Sequence, residues 1–518
     1  MRLRQRRSWF VILALTFCAA GCGSPDPVTT RVTVTGGIVE GVAGDGILAF
    51  KGIPFAAPPV GALRWKAPQA VVPWDGVKRA DRFAPGPMQD TAFGALLGGP
   101  QEISEDCLYL NVWTGARTTD EKRPVMVWIY GGGFGIGMTS SPAYDGTSLA
   151  KKGVVLVSVA YRVGPMGFLA HPELSAESGG GSGAYGIQDQ IAGLRWVKEN
   201  IARFGGDPAN VTLFGESAGG ISVAMLAGSP GAAGLFQRAI SQSGGSMAPP
   251  RMTRAAAEAQ GKAYLAALGA GDIRAARALG AEEIQRNTRG MGSFWPVPDG
   301  ETIVADQYER YLAGRFNDTP ILVGTNSNEG GLFVTQPVTR DGFERMVRGQ
   351  YPEGADVLLA AYPHATDEEA SRSARDIMRD STFAWPTWAW ATLQARNGRH
   401  KAFVYYFDHR TPASPDGANH ADEIRYVFGT LDTPGMTGGG AGPGAQALAE
   451  RLQSYWVHFA RNGDPNGPGL PHWPAFDEKD PRVLYIDGES GARKHPDLEK
   501  ILAFDTHFAR VRAARAEP

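Results

Sequence analysis

The chain has 518 residues, of which 43% are hydrophobic and 20% are charged, so it has ample apolar surface for a large folded core. Its formal net charge is −2, from 51 basic and 53 acidic residues, and the body of the chain contains no basic run. This even balance argues against a nucleic-acid partner.

The N-terminus differs from the rest of the chain. Four arginines within the first seven residues precede a short apolar run at 9–17, which is too short to span a bilayer comfortably as a helix. Basic residues followed by a short apolar core are typical of a secretory signal, so we predict a signal peptide over residues 1–21. The run ends in Ala-Ala-Gly-Cys at 19–22, which resembles the lipobox of bacterial lipoproteins, although Ala19 replaces the usual Leu.

The lipobox resemblance implies that Cys22 is lipidated and becomes the new N-terminus. Residues 22–30 would then form a tether and residues 31–518 one folded domain. The protein would lie on the periplasmic side of a bacterial membrane and touch that membrane only through its lipid anchor. In the alternative, Cys22 is incidental, and the protein is either secreted in soluble form or held by an uncleaved signal.

Cysteine usage leaves Cys107 alone in the mature body, because Cys18 lies in the signal and Cys22 would carry lipid. An exported protein could use disulfides, but this one has no second cysteine for a pair. No Cys/His cluster has zinc spacing, and we expect no metal and no organic cofactor.

Buried strands and helices alternate along the chain. Short apolar runs bounded by glycine or charged residues predict strands at 125–130, 154–161, 211–214, 321–324 and 403–407. Longer patterns predict helices at 186–204, 218–227, 255–268, 445–462 and 498–515. This alternation predicts an α/β fold with a mostly parallel central sheet flanked by helices, in a single large domain.

A Gly-x-Ser-x-Gly motif, Gly215 to Gly219, directly follows the predicted strand at 211–214 and directly precedes a predicted helix. This context indicates a nucleophile elbow with Ser217 as the nucleophile. Side chains at Gly215 and Gly219 would collide with the neighbouring strand and helix. The helix also directs its free N–H groups to the place where negative charge develops. The alternative is a glycine-rich turn with an incidental serine.

Three consecutive glycines at 131–133 follow the predicted strand at 125–130. Such a loop exposes backbone N–H groups and lets an ester carbonyl approach closely, as in the oxyanion loops of lipases and esterases. A flexible linker would have the same composition. The position after a core strand and before the elbow favours the functional interpretation.

At this point the chain resembles the type-B carboxylesterase/lipase family, which also includes the cholinesterases. Matching segments occur in family order over most of the mature chain, at 52–56, 105–111, 130–134, 161–164, 204–208, 215–219, 242–244, 296–300 and 463–466. The resemblance implies an α/β-hydrolase fold and a carboxylic-ester hydrolase. It also implies the partners of Ser217: the acid is Glu329, in the segment 324–330, and the base is His420, in the segment 419–429.

The residues themselves support these partners more weakly. Glu329 follows a predicted core strand, where loops carry function, although a solvated loop carboxylate is the alternative. His420 lies in a polar loop after the strand at 403–407. Spacing alone does not exclude the other histidines downstream of Glu329, which are His364, His400, His409, His458, His472, His495 and His507. By the resemblance, Glu216 is a buried, paired structural carboxylate without a catalytic role, and Ser243 supports the site at most by hydrogen bonding.

The mechanism expected from these residues is acyl transfer to Ser217, with a small-molecule ester as the partner. His420 takes the hydroxyl proton, Glu329 orients the imidazole, and the N–H groups of Gly132, Gly133 and Ala218 hold the oxyanion. Two alternatives stay open: a lipase on insoluble glycerides, and a non-catalytic binding relative of the same fold. The presence of all three triad residues argues against the second alternative.

The substrate pocket is expected to differ from that of a cholinesterase. The family's choline-binding aromatic lies before the Cys107 position, yet residues 88–106 contain only Phe93 as an aromatic. Met88 stands where the family's disulfide partner of Cys107 would be. Gly290 and Gly292 occupy places where acetyl-selective relatives carry bulky aromatics, so an open acyl pocket is expected, unless Trp295 refills the space.

Overall fold

The computed structural model describes residues 26–90, 102–250, 252–286, 288, 291–433 and 441–516. The predictions for the signal peptide, Cys22, Phe93 and Gly290 lie outside these residues. In the described part of the chain, no helix is both long enough and apolar enough to cross a bilayer.

The strands of the described chain form one large sheet and two small ones. Their bounds are β1 (Arg31–Val34), β2 (Gly37–Glu40), β3 (Val42–Gly44), β4 (Ile47–Pro54), β5 (Val77–Arg79), β6 (Gly86–Pro87), β7 (Ile103–Ser104), β8 (Tyr109–Thr114), β9 (Arg123–Ile129), β10 (Val155–Val159), β11 (Gly206–Glu216), β12 (Arg238–Gln242), β13 (Ile321–Asn326), β14 (Ala402–Phe407), β15 (Arg482–Ile486) and β16 (Gly491–Lys494). The large sheet has 11 strands in the order β16-β15-β14-β13-β12-β11-β9-β10-β8-β4-β3. Strands β1, β2 and β5 form one small sheet, and β6 pairs with β7.

Helices cover the large sheet and fill the connections between its strands. The α-helices of the described residues are α1 (Thr147–Lys151), α2 (Gly164–Phe168), α3 (Pro172–Ser178), α4 (Tyr185–Asn200), α5 (Ala218–Gly228), α6 (Arg254–Ala267), α7 (Ile273–Ala278), α8 (Ala281–Arg286), α9 (Gln307–Leu312), α10 (Arg340–Gln350), α11 (Ala355–Ala361), α12 (Asp367–Arg379), α13 (Trp385–Asn397), α14 (Ile424–Phe428), α15 (Ala445–Asn462) and α16 (Leu498–Ala516). A π-helical turn, Asp380–Ala384, joins α12 to α13.

The central strands are parallel and buried on both faces. Strands β10, β9, β11, β12, β13, β14 and β15 run parallel to one another, whereas β3, β4, β8 and β16 join the sheet through antiparallel pairs. Every residue of β10 and β14 is buried, as expected for strands covered by helices on both sides. The mostly parallel sheet flanked by helices confirms the predicted α/β architecture.

The carboxyl edge of the sheet gathers the predicted site. Strands β11, β12, β13 and β14 are consecutive and parallel, so the loops that follow them emerge at one edge. Ser217 follows β11, Glu329 follows β13, and His420 follows β14. These three residues are far apart in sequence, and the topology brings their loops together.

The N-terminal segment is bound at the opposite, amino edge. The N–H of Val28 donates to the carbonyl of Arg117 at 2.9 Å, and the N–H of Thr119 donates to the carbonyl of Asp26 at 3.0 Å. Residues 117–119, which bind the N-terminal segment, lead into Arg123, the first residue of β9. The predicted tether over 22–30 is therefore corrected: from residue 26 onward its backbone is held by hydrogen bonds to the folded body.

Candidate functional site

Ser217 lies on the sharp turn between β11 and α5. Its φ of 55° and ψ of −124° are unfavourable for a residue with a side chain. A Cβ at Gly219 would lie 2.0 Å from the carbonyl oxygen of Ile129, and a Cβ at Gly215 would lie 2.6 Å from the carbonyl carbon of Gly219. The close approach of strand and helix therefore requires glycine at both positions of the motif.

The glycine loop at 131–133 packs directly against this turn. A Cβ at Gly131 would lie 2.9 Å from the Cβ of Ser217, so the loop and the nucleophile turn are neighbours. Gly132 and Gly133 have φ values of 109° and 60°, which glycine adopts readily. A Cβ at Gly133 would meet no heavy atom within 4 Å, so this part of the loop borders open space beside Ser217.

Ser217, His420 and Glu329 form one hydrogen-bonded chain. His420 Nε2 lies 2.9 Å from Ser217 Oγ, and His420 Nδ1 lies 2.5 Å from Glu329 Oε2. Glu329 Oε1 in turn accepts the backbone N–H of Asn326 at 2.7 Å. Glu329 and His420 are buried, while Ser217 is partly exposed. A serine hydroxyl in this arrangement can pass its proton to the imidazole as it attacks a carbonyl.

His409, one of the histidines that spacing alone does not exclude as the base, makes its described hydrogen bond away from the triad. Its Nε2 is 3.2 Å from the carbonyl oxygen of Ala441. The loop of His420 is instead fastened to the loop of Glu329, since Asn328 pairs with Asn419 and its side-chain amide donates to Asn419 Oδ1 at 2.9 Å.

Two aromatic rings contact the imidazole of His420. The ring of Phe383, from the π-helical turn, stacks on it with centroids 4.6 Å apart, and the ring of Phe333 is tilted against it at 5.2 Å. Phe383 is buried, whereas Phe333 is 48% exposed. The two rings therefore restrict the imidazole, Phe333 from the side of solvent, and neither ring was predicted from the sequence.

A second buried carboxylate, Glu423, is linked by hydrogen bonds to the residues that support Ser217 and Glu329. Its Oε1 accepts the side-chain amide of Gln242 at 3.0 Å, and its Oε2 accepts that of Asn326 at 2.6 Å. Gln242 also accepts the indole N–H of Trp456, and its backbone carbonyl accepts the N–H of Ser217 at 2.9 Å. The network thus joins the nucleophile turn to the acid loop. Glu423 follows His420 by three residues, but no sequence pattern indicates these partners.

Glu216 approaches the same imidazole from the nucleophile side. Its Oε1 lies 3.2 Å from His420 Nε2, yet this oxygen makes no directed hydrogen bond among the described residues, because Nε2 points at Ser217. Glu216 is buried, as expected, and its ion-pair partner among the described residues is the imidazole of His420. Ser243 is buried with a φ of 47°, and its Oγ has no hydrogen-bond partner in the described part of the chain. Ser243 therefore gives the site no side-chain hydrogen bond within the described residues.

The carboxylates determine the electrostatics of the imidazole. Burial by itself lowers the pKa of His420, but the neighbouring charges of Glu216, Glu329 and Glu423 outweigh burial and raise that pKa above 6.5. Burial also raises the pKa of Glu216 and of Glu423 above 4.5, and other carboxylates add to both effects. The three carboxylates therefore stabilise the protonated form of the His420 imidazole.

A cavity bordered by helix α5 is lined mainly by apolar side chains. Its walls include Ile221 of the nucleophile helix, Pro250, Trp295 and Pro386. Trp295 also packs edge-on against Phe134, which follows the glycine loop, with centroids 4.8 Å apart. The sequence left two expectations for this wall: an open pocket, or a pocket refilled by Trp295. Trp295 does line the cavity.

The acyl-side glycine that the structure describes, Gly292, is exposed and has a φ of 73°. A Cβ there would come within 4 Å of one group only, the side-chain amide of Gln260 at 3.5 Å. Gly292 is not among the residues that line the apolar cavity, so the structure assigns it no part in that wall.

Cys107 is buried and unpaired, as its position alone in the mature sequence predicts. Met88 is also buried and lines the same small cavity as Cys107. Burial raises the pKa of the Cys107 thiol well above its ordinary value. This thiol is therefore a packing group and not a reactive one.

Comparison with known proteins gives a consistent result. The model of the carboxylesterase family matches residues 28–502. A fumonisin B1 esterase of Sphingopyxis macrogoltabida is 38% identical over 495 residues, which cover 91% of this chain and 89% of that protein. A para-nitrobenzyl esterase of Bacillus subtilis strain 168 is 35% identical over 499 residues, which cover 90% of this chain and 97% of that protein.

Solved structures agree with the sequence relatives. A PNB esterase superposes with a TM-score of 0.82 at 33% identity, covering 92% of this chain and 99% of that one. A carboxylesterase from Geobacillus stearothermophilus superposes with a TM-score of 0.81 at 35% identity, covering 92% of this chain and all of that one (100%). These neighbours are α/β-hydrolases, so the predicted fold is confirmed.

Proposed function

Because the chain belongs to the carboxylesterase family and is a serine hydrolase of carboxylic esters, we propose that it acts through an acyl-enzyme on Ser217 with a Ser-His-Glu triad. The observation that carries this proposal is the position of His420, which lies 2.9 Å from Ser217 Oγ and 2.5 Å from Glu329 Oε2. His420 is thus within reach of both groups at once.

In the proposed mechanism, His420 takes the hydroxyl proton as Ser217 attacks the ester carbonyl, and Glu329 stabilises the imidazolium. The oxyanion is held by the backbone N–H groups of Gly132, Gly133 and Ala218. Loss of one such donor typically costs about 3 kcal/mol of transition-state stabilisation. The alcohol leaves with the proton from His420, and a water activated by the same imidazole then releases the acid.

The test is Ser217→Ala, measured as kcat/KM on a nitrophenyl ester. Activity should fall by several orders of magnitude with Tm and circular dichroism retained, and a fluorophosphonate probe should label wild type but not the variant. His420→Ala and Glu329→Gln extend the test to the partners. Retention of more than about one per cent of wild-type turnover by Ser217→Ala would contradict the assignment.

The substrate of the proposed reaction is a small-molecule ester that binds beside Ser217. The apolar cavity lined by Trp295 and Pro250 supports acyl groups larger than acetyl. A lipase that acts on insoluble glycerides is the second candidate, supported by the exposed ring of Phe333 next to His420. Soluble esters and emulsified triglycerides of matched acyl length distinguish the two candidates.

We further propose that the protein is exported as a lipoprotein, with Cys22 modified by lipid after removal of residues 1–21. The support is the basic segment, the apolar core and the Ala-Ala-Gly-Cys sequence. Mass spectrometry of the mature N-terminus from the native host tests this proposal. An unmodified N-terminus located after Cys22 would instead indicate a soluble secreted protein.

A further inference from the structure

The first described residues and the catalytic residues lie at opposite edges of the sheet. Residues 26–28 are hydrogen-bonded to the segment 117–119, which leads into the amino end of β9. A Cβ at Gly205, directly before β11, would lie 2.9 Å from the carbonyl oxygen of Thr118 and 3.7 Å from a methyl carbon of Val28. Ser217 follows the other end of the same strand. The N-terminal segment is thus fixed at the amino edge.

The separation between the edges can be compared with the reach of the chain. Strand β9 has 7 residues, so the two edges of the sheet are about 20 Å apart. Cys22 precedes Asp26 by four residues, which span at most about 14 Å when fully extended. Because Asp26 is itself bound to Thr119, a lipid on Cys22 cannot reach around the body to the carboxyl edge.

The small sheet next to this edge exposes apolar side chains. Ile38 and Val77 are register partners on β2 and β5, and their exposed fractions are 37% and 40%. The turn before β2 is fastened to the amino edge, because Asn200 Oδ1 accepts the N–H of Thr35 at 2.8 Å. Exposed aliphatic side chains near the amino edge could insert at the boundary between the headgroups and the acyl chains of a bilayer.

We propose that the amino edge of the sheet, around residues 26–28, is the surface that lies against a lipid bilayer, and that the catalytic site opens on the far side. This orientation rests on the lipidation of Cys22 proposed above. One short anchor restricts the distance between membrane and protein to a few residues of chain, so the edge that carries the anchor has to face the membrane.

The orientation selects a class of substrate. The mouth of the site, marked by the exposed ring of Phe333, faces the aqueous compartment and is separated from the bilayer by the length of the strands. The substrates are therefore esters dissolved in that compartment. The acyl esters of the membrane that carries the enzyme are out of reach of Ser217.

The orientation can be measured on vesicles without relying on lipidation in a cell. The chain from Cys22 onward, which contains every described residue, is coupled through its Cys22 thiol to a maleimide phospholipid in phosphatidylcholine vesicles. Cys107 does not compete because it is buried. An azide-bearing amino acid at Ala202 or at Ala413 carries a donor dye, and the vesicles carry an acceptor lipid.

The two labels form a matched pair. Both alanines are exposed; Ala202 lies directly before β11 at the amino edge, and Ala413 lies in the loop between β14 and His420. We expect strong energy transfer to the bilayer from Ala202 and weak transfer from Ala413. Equal transfer from both positions, or stronger transfer from Ala413, would overturn the proposal.

The hydrolytic activity of the anchored enzyme, compared with that of the free enzyme, gives a second measure of the orientation. Against a soluble nitrophenyl ester, kcat/KM should be the same for anchored and free enzyme. Against a fluorogenic ester embedded in the same vesicles, anchoring should give less than about a twofold gain, whereas a site facing the bilayer would gain on the order of 100-fold from effective concentration. A gain of that size would also overturn the proposal.

Failures of the underlying proposals are distinguishable from failure of this one. If the free enzyme does not hydrolyse the soluble ester, the catalytic proposal fails, while energy transfer still reports the orientation. If Cys22 carries no lipid in the native host, the orientation has no anchor and is overturned for the cellular protein, whatever the vesicles show.

Discussion

The ring of Phe383 stacks on the imidazole of His420, with centroids 4.6 Å apart and planes inclined by 25°. Phe383 reaches this position from the π-helical turn Asp380–Ala384, where the extra residue in the turn displaces the side chain from the α-helical pattern. The imidazole is therefore held by its two hydrogen bonds at the edges and by an aromatic ring on its face.

This contact predicts the effect of Phe383→Leu, which keeps an apolar side chain but removes the flat ring. An aromatic pair is worth about 0.5–1.5 kcal/mol, so kcat should fall by up to about tenfold, while KM and Tm change little. The matched control is Phe343→Leu, a buried phenylalanine that packs on His364 instead. A Phe383→Leu variant with wild-type kcat would show that the ring does not position His420.

Glu216→Gln should move the acid limb of the kcat/KM profile to lower pH. His420 has to be neutral to accept the serine proton, and the charge of Glu216 at 3.2 Å helps to raise the pKa of His420. Removal of that charge lowers the pKa of His420, so the neutral imidazole persists to more acidic pH. Glu450→Gln, on an exposed side chain, is the control. An acid limb that stays in place or moves to higher pH would refute this electrostatic role.

Arg379→Met should destabilise the fold strongly. This guanidinium is only 4% exposed; it pairs with Asp380 at 2.7 Å and Asp497 at 2.9 Å, and it donates to the carbonyl of Ser327 in the acid loop at 2.9 Å. Loss of one partner from a buried ion pair typically costs about 3–5 kcal/mol. Arg375→Met breaks a more exposed pair on the same helix and should cost about 1 kcal/mol or less. Equal Tm shifts for the two variants would contradict this expectation.

Cys107 should be unreactive in the folded protein. In a chain that begins at Gly23, a thiol reagent should modify Cys107 only after denaturation, because the side chain is buried.

Met88→Cys should form a disulfide with Cys107, since both residues line one small cavity. The check is the thiol count of the unfolded variant before and after reduction. Two free thiols without reduction would show that the two positions cannot be bridged.

The acyl preference should extend beyond acetyl. With nitrophenyl esters from acetate to octanoate, kcat/KM should not peak sharply at acetate, and acetylcholine should be a poor substrate. Trp295→Ala should raise kcat/KM for the longest ester relative to acetate, because Trp295 lines the cavity. A sharp preference for acetate, or efficient turnover of acetylcholine, would overturn this view of the pocket.

Much of the fold could be predicted because strong local patterns coincide with the observed elements. The helix predicted at 445–462 is α15, Ala445–Asn462, which glycines flank on both sides. Short strands such as β1, β2 and β5, with 4, 4 and 3 residues, were not predicted, since segments of that length carry little periodicity. The π-helical turn was also missed, because a single inserted residue leaves no signature in composition.

The residues of the site also divide into those that local sequence could predict and those that it could not. The sharp turn at Ser217 could be predicted from its own surroundings, because the glycines at 215 and 219 are required by contacts within it. The partners of Glu423 could not be identified, because Gln242 lies 181 residues away and the bond depends on the order of the strands. The binding of residues 26–28 to the body was missed for a related reason, since a polar segment can pair its backbone with a distant loop whatever its side chains are.

The strained backbone of Ser217 also means that the proposed nucleophile lowers the thermal stability of the protein. At φ 55° and ψ −124°, glycine is the residue that avoids steric strain, and a side chain there costs about 1–3 kcal/mol. Ser217→Gly should therefore give a protein that melts at a higher temperature than wild type and has lost its nucleophile. Directed evolution for heat resistance alone would be drawn towards such dead variants, so every round of selection needs an activity screen beside the thermal one.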